Sequence, residues 1–167
     1  MRTLLVRRLE ASEWRMYRGL RLSALADSPD AFGSTLNEEK ELSDDWWSAR
    51  LGAGTASTTD LPLVVELEGE GIGLSWGRIE ASNPAAAYLY QMWVAPSFRR
   101  LGAGQLLLAA TIDWARSSGA RALKLGVTCG NTPAMQLYAR AGFEDEGPAK
   151  PLRPGSPIFA QPMSLEL

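Results

Sequence analysis

The segment Val94–Leu108, V-A-P-S-F-R-R-L-G-A-G-Q-L-L-L, sets Gly102 and Gly104 between a strand-like stretch and a long apolar run of helical period. Small residues there let the backbone come close to a ligand. Free amides and a helix N-terminal partial charge of about half a unit attract phosphate oxygens. Arg99 and Arg100 add fixed positive charge just ahead of the glycines. The outline is that of an anion site. A dinucleotide fingerprint would need glycine at 107, where this chain has leucine, and a P-loop would need Lys-Ser/Thr after its last glycine. On these residues alone, a glycine-rich turn that only joins strand to helix stands equally well.

A second stretch with chemical potential is Asn131–Phe143, N-T-P-A-M-Q-L-Y-A-R-A-G-F. Its phenol, Tyr138, can donate a proton, but it also continues the apolar stripe Leu137, Tyr138, Ala141, so packing is its ordinary reading. Asn131 precedes Thr132-Pro133 and fits a helix N-cap. The chain contains no histidine and one cysteine, Cys129. That excludes Ser-His-Asp chemistry, most zinc chemistry and an internal disulfide. Without a histidine to activate it, Cys129 reads as a bystander thiol.

The elements that must hold these residues follow from periodicity and turn chemistry. Residues 3–8 read as a strand, and Ser12-Glu13 as the capped start of an amphipathic helix to about Ala26, stopped by Pro29. After the loop P-D-A-F-G-S-T, Ser43-Asp44-Asp45 cap a second short helix carrying Trp46, Trp47 and Leu51, and a loop with Gly52 and Gly54 follows. Leu63–Leu67 and Ile72–Ile79 flank the turn E-G-E-G as a hairpin. Ala87–Val94 is a strand ended by Pro96, Gln105–Ser117 a helix closed by Gly119, and Leu123–Val127 another strand. Thr132–Arg140 is a helix ending at Gly142, and Ile158–Leu165 is a last strand. Hairpins first and strand-helix alternation later predict a mixed sheet in one α+β or α/β domain over residues 1–167.

Composition sets the class. At 167 residues, 46% hydrophobic and 22% charged, the chain is the size of one globular domain. No apolar run approaches the roughly 20 residues of a membrane span, and Met1–Glu10 alternates apolar and basic residues too quickly for a secretory signal. A cytoplasmic location with no membrane partner is the expectation. Seventeen basic against nineteen acidic side chains leave a net charge of −2, with no general attraction to nucleic acid.

The phosphate-loop segment resembles the acyl-CoA loop of the GNAT superfamily, Arg or Gln, two residues, Gly, one residue, then Gly or Ala, at Arg99, Gly102 and Gly104. Downstream, Asn131, Ala134, Leu137, Tyr138, Gly142 and Phe143 match the second GNAT motif, and P-D-A-F-G-S-T-L-N-E-E resembles the opening helix-loop-helix of many members. Two departures stand out: Arg100 where the family often has glycine, and Leu101 where it often has a basic residue.

The resemblance implies an acetyl-CoA-dependent N-acetyltransferase fold, a mostly antiparallel sheet with one splayed parallel pair and about four flanking helices. It further implies that the backbone at Met92 and Val94 holds pantetheine and the acyl carbonyl. The amides of Arg99, Arg100, Leu101, Gly102, Ala103 and Gly104 would hold the pyrophosphate, Asn131 would meet CoA while capping its helix, and Tyr138 would protonate the departing thiolate. An amine would attack the thioester directly, in a small molecule or a polypeptide, and a homodimer is left open. No family base carries over, because Gly126 and Tyr88 stand at the positions where some relatives have glutamate. Glu80, Glu38 and Glu39 are the nearby carboxylates, with water-mediated deprotonation beside them, and Trp46, Trp47 and Trp93 could line an acceptor pocket. The rival readings are a non-catalytic acyl-CoA sensor, which has no use for Tyr138, and a nucleotide-binding regulatory domain, which has no use for the Asn131–Phe143 motif.

Overall fold

The computed structural model describes residues 2–167. Along the chain run β1 (Leu4–Arg8), α1 (Trp14–Asp27), α2 (Leu36–Glu39), α3 (Asp44–Ala56), β2 (Asp60–Leu67), β3 (Glu70–Ile79) and β4 (Ala86–Val94). They are followed by α4 (Ala103–Ser117), β5 (Ala122–Thr128), α5 (Thr132–Arg140), the two-residue strands β6 (Glu144–Asp145) and β7 (Lys150–Pro151), and β8 (Phe159–Glu166). The strands make one sheet in the order β1-β2-β3-β4-β5-β8-β6, with β7 also on β8. Every pairing is antiparallel except β4 with β5.

Successive strand side chains point to opposite faces, so a strand buried on both faces reads as a continuous apolar run. β2 does this. Val64 packs with Leu74, Trp76 and Trp93 of the sheet against Tyr17 and Leu25 of α1 and Trp47 and Leu51 of α3. Its neighbours Leu63 and Val65 face the other way, onto Ala103 and Leu107 of α4. Helices thus cover both faces. The β2–β3 hairpin turns through Glu68 and Gly69, both at positive φ (53° and 86°), the geometry whose twist matches that of the strands.

Four sequence expectations are corrected. Gly52 and Gly54 lie inside α3, not in a loop after it. The first helix is entered through Glu10, whose amide donates to Glu13 Oε1 at 2.9 Å, rather than through Ser12. A further short helix, α2, begins at Thr35, whose hydroxyl accepts from the Glu38 amide. Finally, α4 starts at Ala103, two residues earlier than the apolar periodicity indicated.

The third helix carries Gly54 for a steric reason: a Cβ there would collide with Cζ2 of Trp76, so only glycine lets helix and indole meet. Gly52, one turn-half earlier, has open space around its missing Cβ. Alanine at the two sites should therefore act with opposite sign. Gly52→Ala is expected to raise the unfolding free energy by up to about 1 kcal/mol through helix propensity, and Gly54→Ala to lower it by about 1–3 kcal/mol through overpacking. Urea unfolding of the two variants checks this, and equal shifts would contradict the packing.

Candidate active site

The parallel pair opens the site. β4 and β5 are in register only at Ala86–Ala122, Ala87–Leu123 and Tyr88–Lys124, after which the strands part. On its other edge β4 carries a bulge: Trp76 faces Tyr90 and Leu74 faces Trp93, leaving Gln91 and Met92 opposite Ser75, with Gln91 at φ 59°. Met92 thereby has no register partner on either neighbouring strand. Between the parted strands lies a cavity of about 570 Å³. Its walls come from Leu89–Met92 of β4, Leu125–Thr128 of β5, Asn131, Ala134 and Tyr138 of α5, and, at the far end, Arg21, Arg50, Trp76, Arg78 and Glu80.

At the apolar end, Tyr138 is 7% exposed and packs edge-on against Phe143 with ring centroids 5.8 Å apart. Its hydroxyl bonds to no described residue, and burial alone pushes the phenol up to about 12. Asn131 caps α5, its Oδ1 accepting from the Ala134 amide at a long 3.5 Å. Asn131 also lines the cavity.

The phosphate loop leads into α4. Gly102 is the helix N-cap in the left-handed region at φ 91°, and Leu106 is the first residue whose amide returns to it. The amides of Ala103, Gly104 and Gln105 are consequently free of intrahelical partners. A Cβ on Gly104 would meet Leu137 Cδ2 at 3.5 Å, ordinary contact that also places this turn beside α5. Arg100 sits at φ 67°, where glycine is at ease and arginine is strained. Leu101 is exposed and Ala103 buried.

Arg99 is placed differently from a free phosphate ligand. Its Nε donates to the Val94 carbonyl at 2.9 Å and its Nη2 to Asp27 Oδ2 at 2.7 Å, so it ties the loop to the end of α1 and to β4. Trp93 Nε1 donates to the same Asp27 oxygen at 3.0 Å. Arg100 is exposed and pairs with no described carboxylate, so its charge faces solvent.

The polar end is built by the first three helices and the loop after α1. Arg21 is 5% exposed. Glu39 takes two of its donors, Nε to Oε1 at 2.9 Å and Nη2 to Oε2 at 2.7 Å, while its guanidinium lies over Phe32, 4.9 Å from the ring centroid. Arg153 fixes that loop by donating to the carbonyls of Pro29, Phe32 and Gly33, and the Thr128 hydroxyl donates to Asp30 O at 2.6 Å. Arg50 stacks over the Trp76 ring at 4.5 Å. Arg78 Nε lies 3.2 Å from Glu80 and 3.9 Å from Asp60.

Of the carboxylates singled out from the sequence, Glu80 alone lines the cavity; Glu39 serves Arg21, and Glu38 receives the Ser34 hydroxyl. Trp46, Trp47 and Trp93 do not line it, and Trp76 does. The sequence missed Arg21 and Arg50, which look there like solvated helix positions. Their signal was spacing: Arg21 lies four residues after Tyr17 and so shares its inward face.

The family model for the acetyltransferase (GNAT) family matches residues 19–143. Among curated relatives, a mycothiol acetyltransferase of Pseudarthrobacter chlorophenolicus is 34% identical over 84 residues, 48% of this chain and 26% of that protein. A mycothiol acetyltransferase of Clavibacter michiganensis subsp. michiganensis is 28% identical over 137 residues, 81% of this chain and 40% of that protein. The chain thus spans less than half the length of either. An acetyltransferase of the GNAT family from Streptococcus pneumoniae superposes with a TM-score of 0.80 at 23% identity, over 99% of this chain and 100% of that one. The structure of yncA from Salmonella typhimurium with its cofactor acetyl-CoA superposes with a TM-score of 0.81 at 19% identity, over 99% and 94%.

The Asp27 knot yields a pH test. Its carboxyl is held below the usual carboxylate range by the Trp93 indole first, then by the Ser28 hydroxyl and Arg99. A depressed folded value means stability present above the unfolded value near about 3.9 and lost as pH falls through the folded one. Wild type should therefore exceed Asp27→Asn in unfolding free energy at neutral pH, with the gap closing below about pH 4. Chemical denaturation across that range measures it, and a gap independent of pH would show that charge plays no part.

Proposed function

The chain belongs to the acetyltransferase (GNAT) family, and from that premise we propose that residues 1–167 act as one unit that transfers an acetyl group from acetyl-CoA to an amine nitrogen. The observation that carries this reading is that Met92, which has no register partner on either neighbouring strand, and Tyr138 line one cavity, while the free amides at the start of α4 lie beside α5 through the contact of Gly104 with Leu137. Pantetheine would lie along β4 as an added strand, bonded by Met92 and Val94. The pyrophosphate would take the amides of the turn from Arg99 to Gly104, with Arg100 supplying countercharge and Arg99 holding the turn in shape.

In the reaction the amine nitrogen attacks the thioester carbonyl carbon, a C–N bond forms, and the C–S bond breaks. A backbone amide near Met92 faces the tetrahedral oxyanion, a contribution of about 3 kcal/mol where such donors have been removed elsewhere. The nitrogen gives up one proton to water held by Glu80, the carboxylate on the cavity wall. The departing sulfur takes one from Tyr138, which recovers its own from solvent, so the products are an acetamide and the CoA thiol. A phenol held at about 12 keeps its proton through any ordinary assay range and donates it reluctantly. Its effect belongs near the lower end of general-acid catalysis.

Two measurements test this. Gly102→Val forces a β-branched residue into φ 91° and should abolish acetyl-CoA binding by calorimetry in a protein that still folds; unchanged affinity would remove the phosphate assignment. Tyr138→Phe keeps the packing and should lower kcat about tenfold with little change in acetyl-CoA affinity, and the wild type should show no alkaline loss attributable to this phenol up to about pH 10. Wild-type turnover by the variant would make Tyr138 a packing residue. A protein that binds acetyl-CoA and releases CoA to no acceptor would be a sensor instead.

A further inference from the structure

The strand β5 has two edges, and only one of them is occupied along its whole length. The Leu167 amide donates to Arg121 O and the Cys129 amide to Phe159 O, both at 2.8 Å, so the odd-numbered residues of this strand turn their N–H and C=O groups to β8. The even-numbered ones turn theirs toward β4, as the Ala122 amide does in donating to Ala85 O at 3.2 Å. Ala122 and Lys124 have register partners there, Ala86 and Tyr88, and the Thr128 carbonyl accepts from the Asn131 amide. Gly126 stands between them with no register partner on β4, exposed and lining the cavity. It therefore offers one N–H and one C=O, side by side, to what enters the gap.

No side chain of its own screens this pair. A Cβ on Gly126 would meet only Ala160 Cβ, at 3.9 Å, so the strand is open on that face. The group that matches an adjacent donor and acceptor on a strand edge is a residue of extended peptide, which exchanges both bonds with it. Pantetheine is already assigned to the facing edge, at Met92 and Val94. Continued in the register of Tyr88 with Lys124, Gly126 stands across from Tyr90 and Thr128 across from Met92. An amine at Met92 is then two positions, roughly 7 Å, along the strands from the Gly126 groups, so the third residue of a chain that starts at the amine reaches them. The strands close on each other at Lys124, which leaves room for a chain end and none for a chain passing through.

We infer that the free edge of β5 at Gly126 holds the acceptor by its main chain, so that the amine acetylated here is the N-terminus of a peptide or protein, bonded through its third residue. This rests on the acetyl-transfer reading above.

The test follows CoA release from acetyl-CoA with amino-acid amides, dipeptide amides and tripeptide amides that begin with glycine, alanine, serine or methionine, beside N-acetyl-lysine amide. Tripeptide amides should exceed the single-residue amides at least tenfold in kcat/KM. An ester in place of the bond between the second and third residues removes the N–H that Gly126 O receives, and should return the tripeptide to the dipeptide level. Gly126→Pro removes the strand's own donor and should raise KM for tripeptides about tenfold with KM for acetyl-CoA unchanged, whereas Gly126→Ala keeps the donor and should behave as wild type. Single-residue amides or N-acetyl-lysine amide used as well as tripeptides, or esters used as well as amides, would overturn the main-chain site while acetyl transfer stands. A rise in KM for acetyl-CoA in Gly126→Pro would overturn it as well, giving this edge to pantetheine. Should that variant fail to fold, the ester comparison on wild type decides. No CoA release with any peptide would also overturn it, and calorimetry with acetyl-CoA then decides separately whether the acetyl-transfer reading survives.

Discussion

The site exists because β4 and β5 pair over three residues and then part. Two parallel strands held together to their ends would leave neither a free backbone edge nor a space between them. The separation is enforced from both sides. On β4, the bulge at Gln91 and Met92 bends the strand and breaks its ladder with β3, as an extra residue in one strand does. On β5, residues 122–128 remain in register with β8 along their whole length, so β5 follows β8 and cannot follow β4. The helices then fill the opening unequally: α5 brings Tyr138 to one side, and α1 and α3 bring two arginines to the other.

Much of this was legible in the sequence, and the reason is physical. Gly102 serves the backbone itself through a left-handed φ, so its position in the chain marks the turn directly, while a Cβ on Gly104 would make only ordinary contact with Leu137. Asn131-Thr-Pro and Gly142 likewise bound α5 by capping chemistry that depends on near neighbours only. What could not be read was set by partners distant in sequence. Gly54 looked like a loop residue because glycine disfavours helices, yet it is helical since Trp76, 22 positions on, needs its space. Arg99 looked like a phosphate ligand because nothing local reveals that Asp27 will receive it. The bulge at Gln91 has no turn residue to announce it; a glutamine holds positive φ there because Tyr17 fixes its side chain.

The two adjacent arginines of the loop, Arg99 and Arg100, play different parts. Arg99 is spent on shape: bound to the Val94 carbonyl and to Asp27, it joins the end of β4, the end of α1 and the turn before α4 at one point. Arg100 keeps its charge in solvent but holds a backbone conformation that glycine would adopt at less cost, on the order of 1 kcal/mol. That strain is tolerable because the positions on either side are fixed, Arg99 by its clamp and Gly102 by the helix it begins. Strain of this kind persists only where the surroundings determine the backbone.

The cavity is chemically divided along its length, and the division bears on which proton-transfer roles are open to which residue. Tyr138 lies where desolvation dominates, with no charge near enough to offset it, so its phenol is raised and stays neutral. Tyr17, also deeply buried, sits at the other end, where Arg21, Arg50 and the Gln91 hydrogen bond all oppose the effect of burial. The same side chain thus meets two environments, Tyr138 on the cavity wall and Tyr17 behind it, bonded to the wall residue Gln91. The end that keeps a proton secure is where a leaving sulfur would need one, and the end where guanidiniums and carboxylates alternate offers a substrate both donors and acceptors.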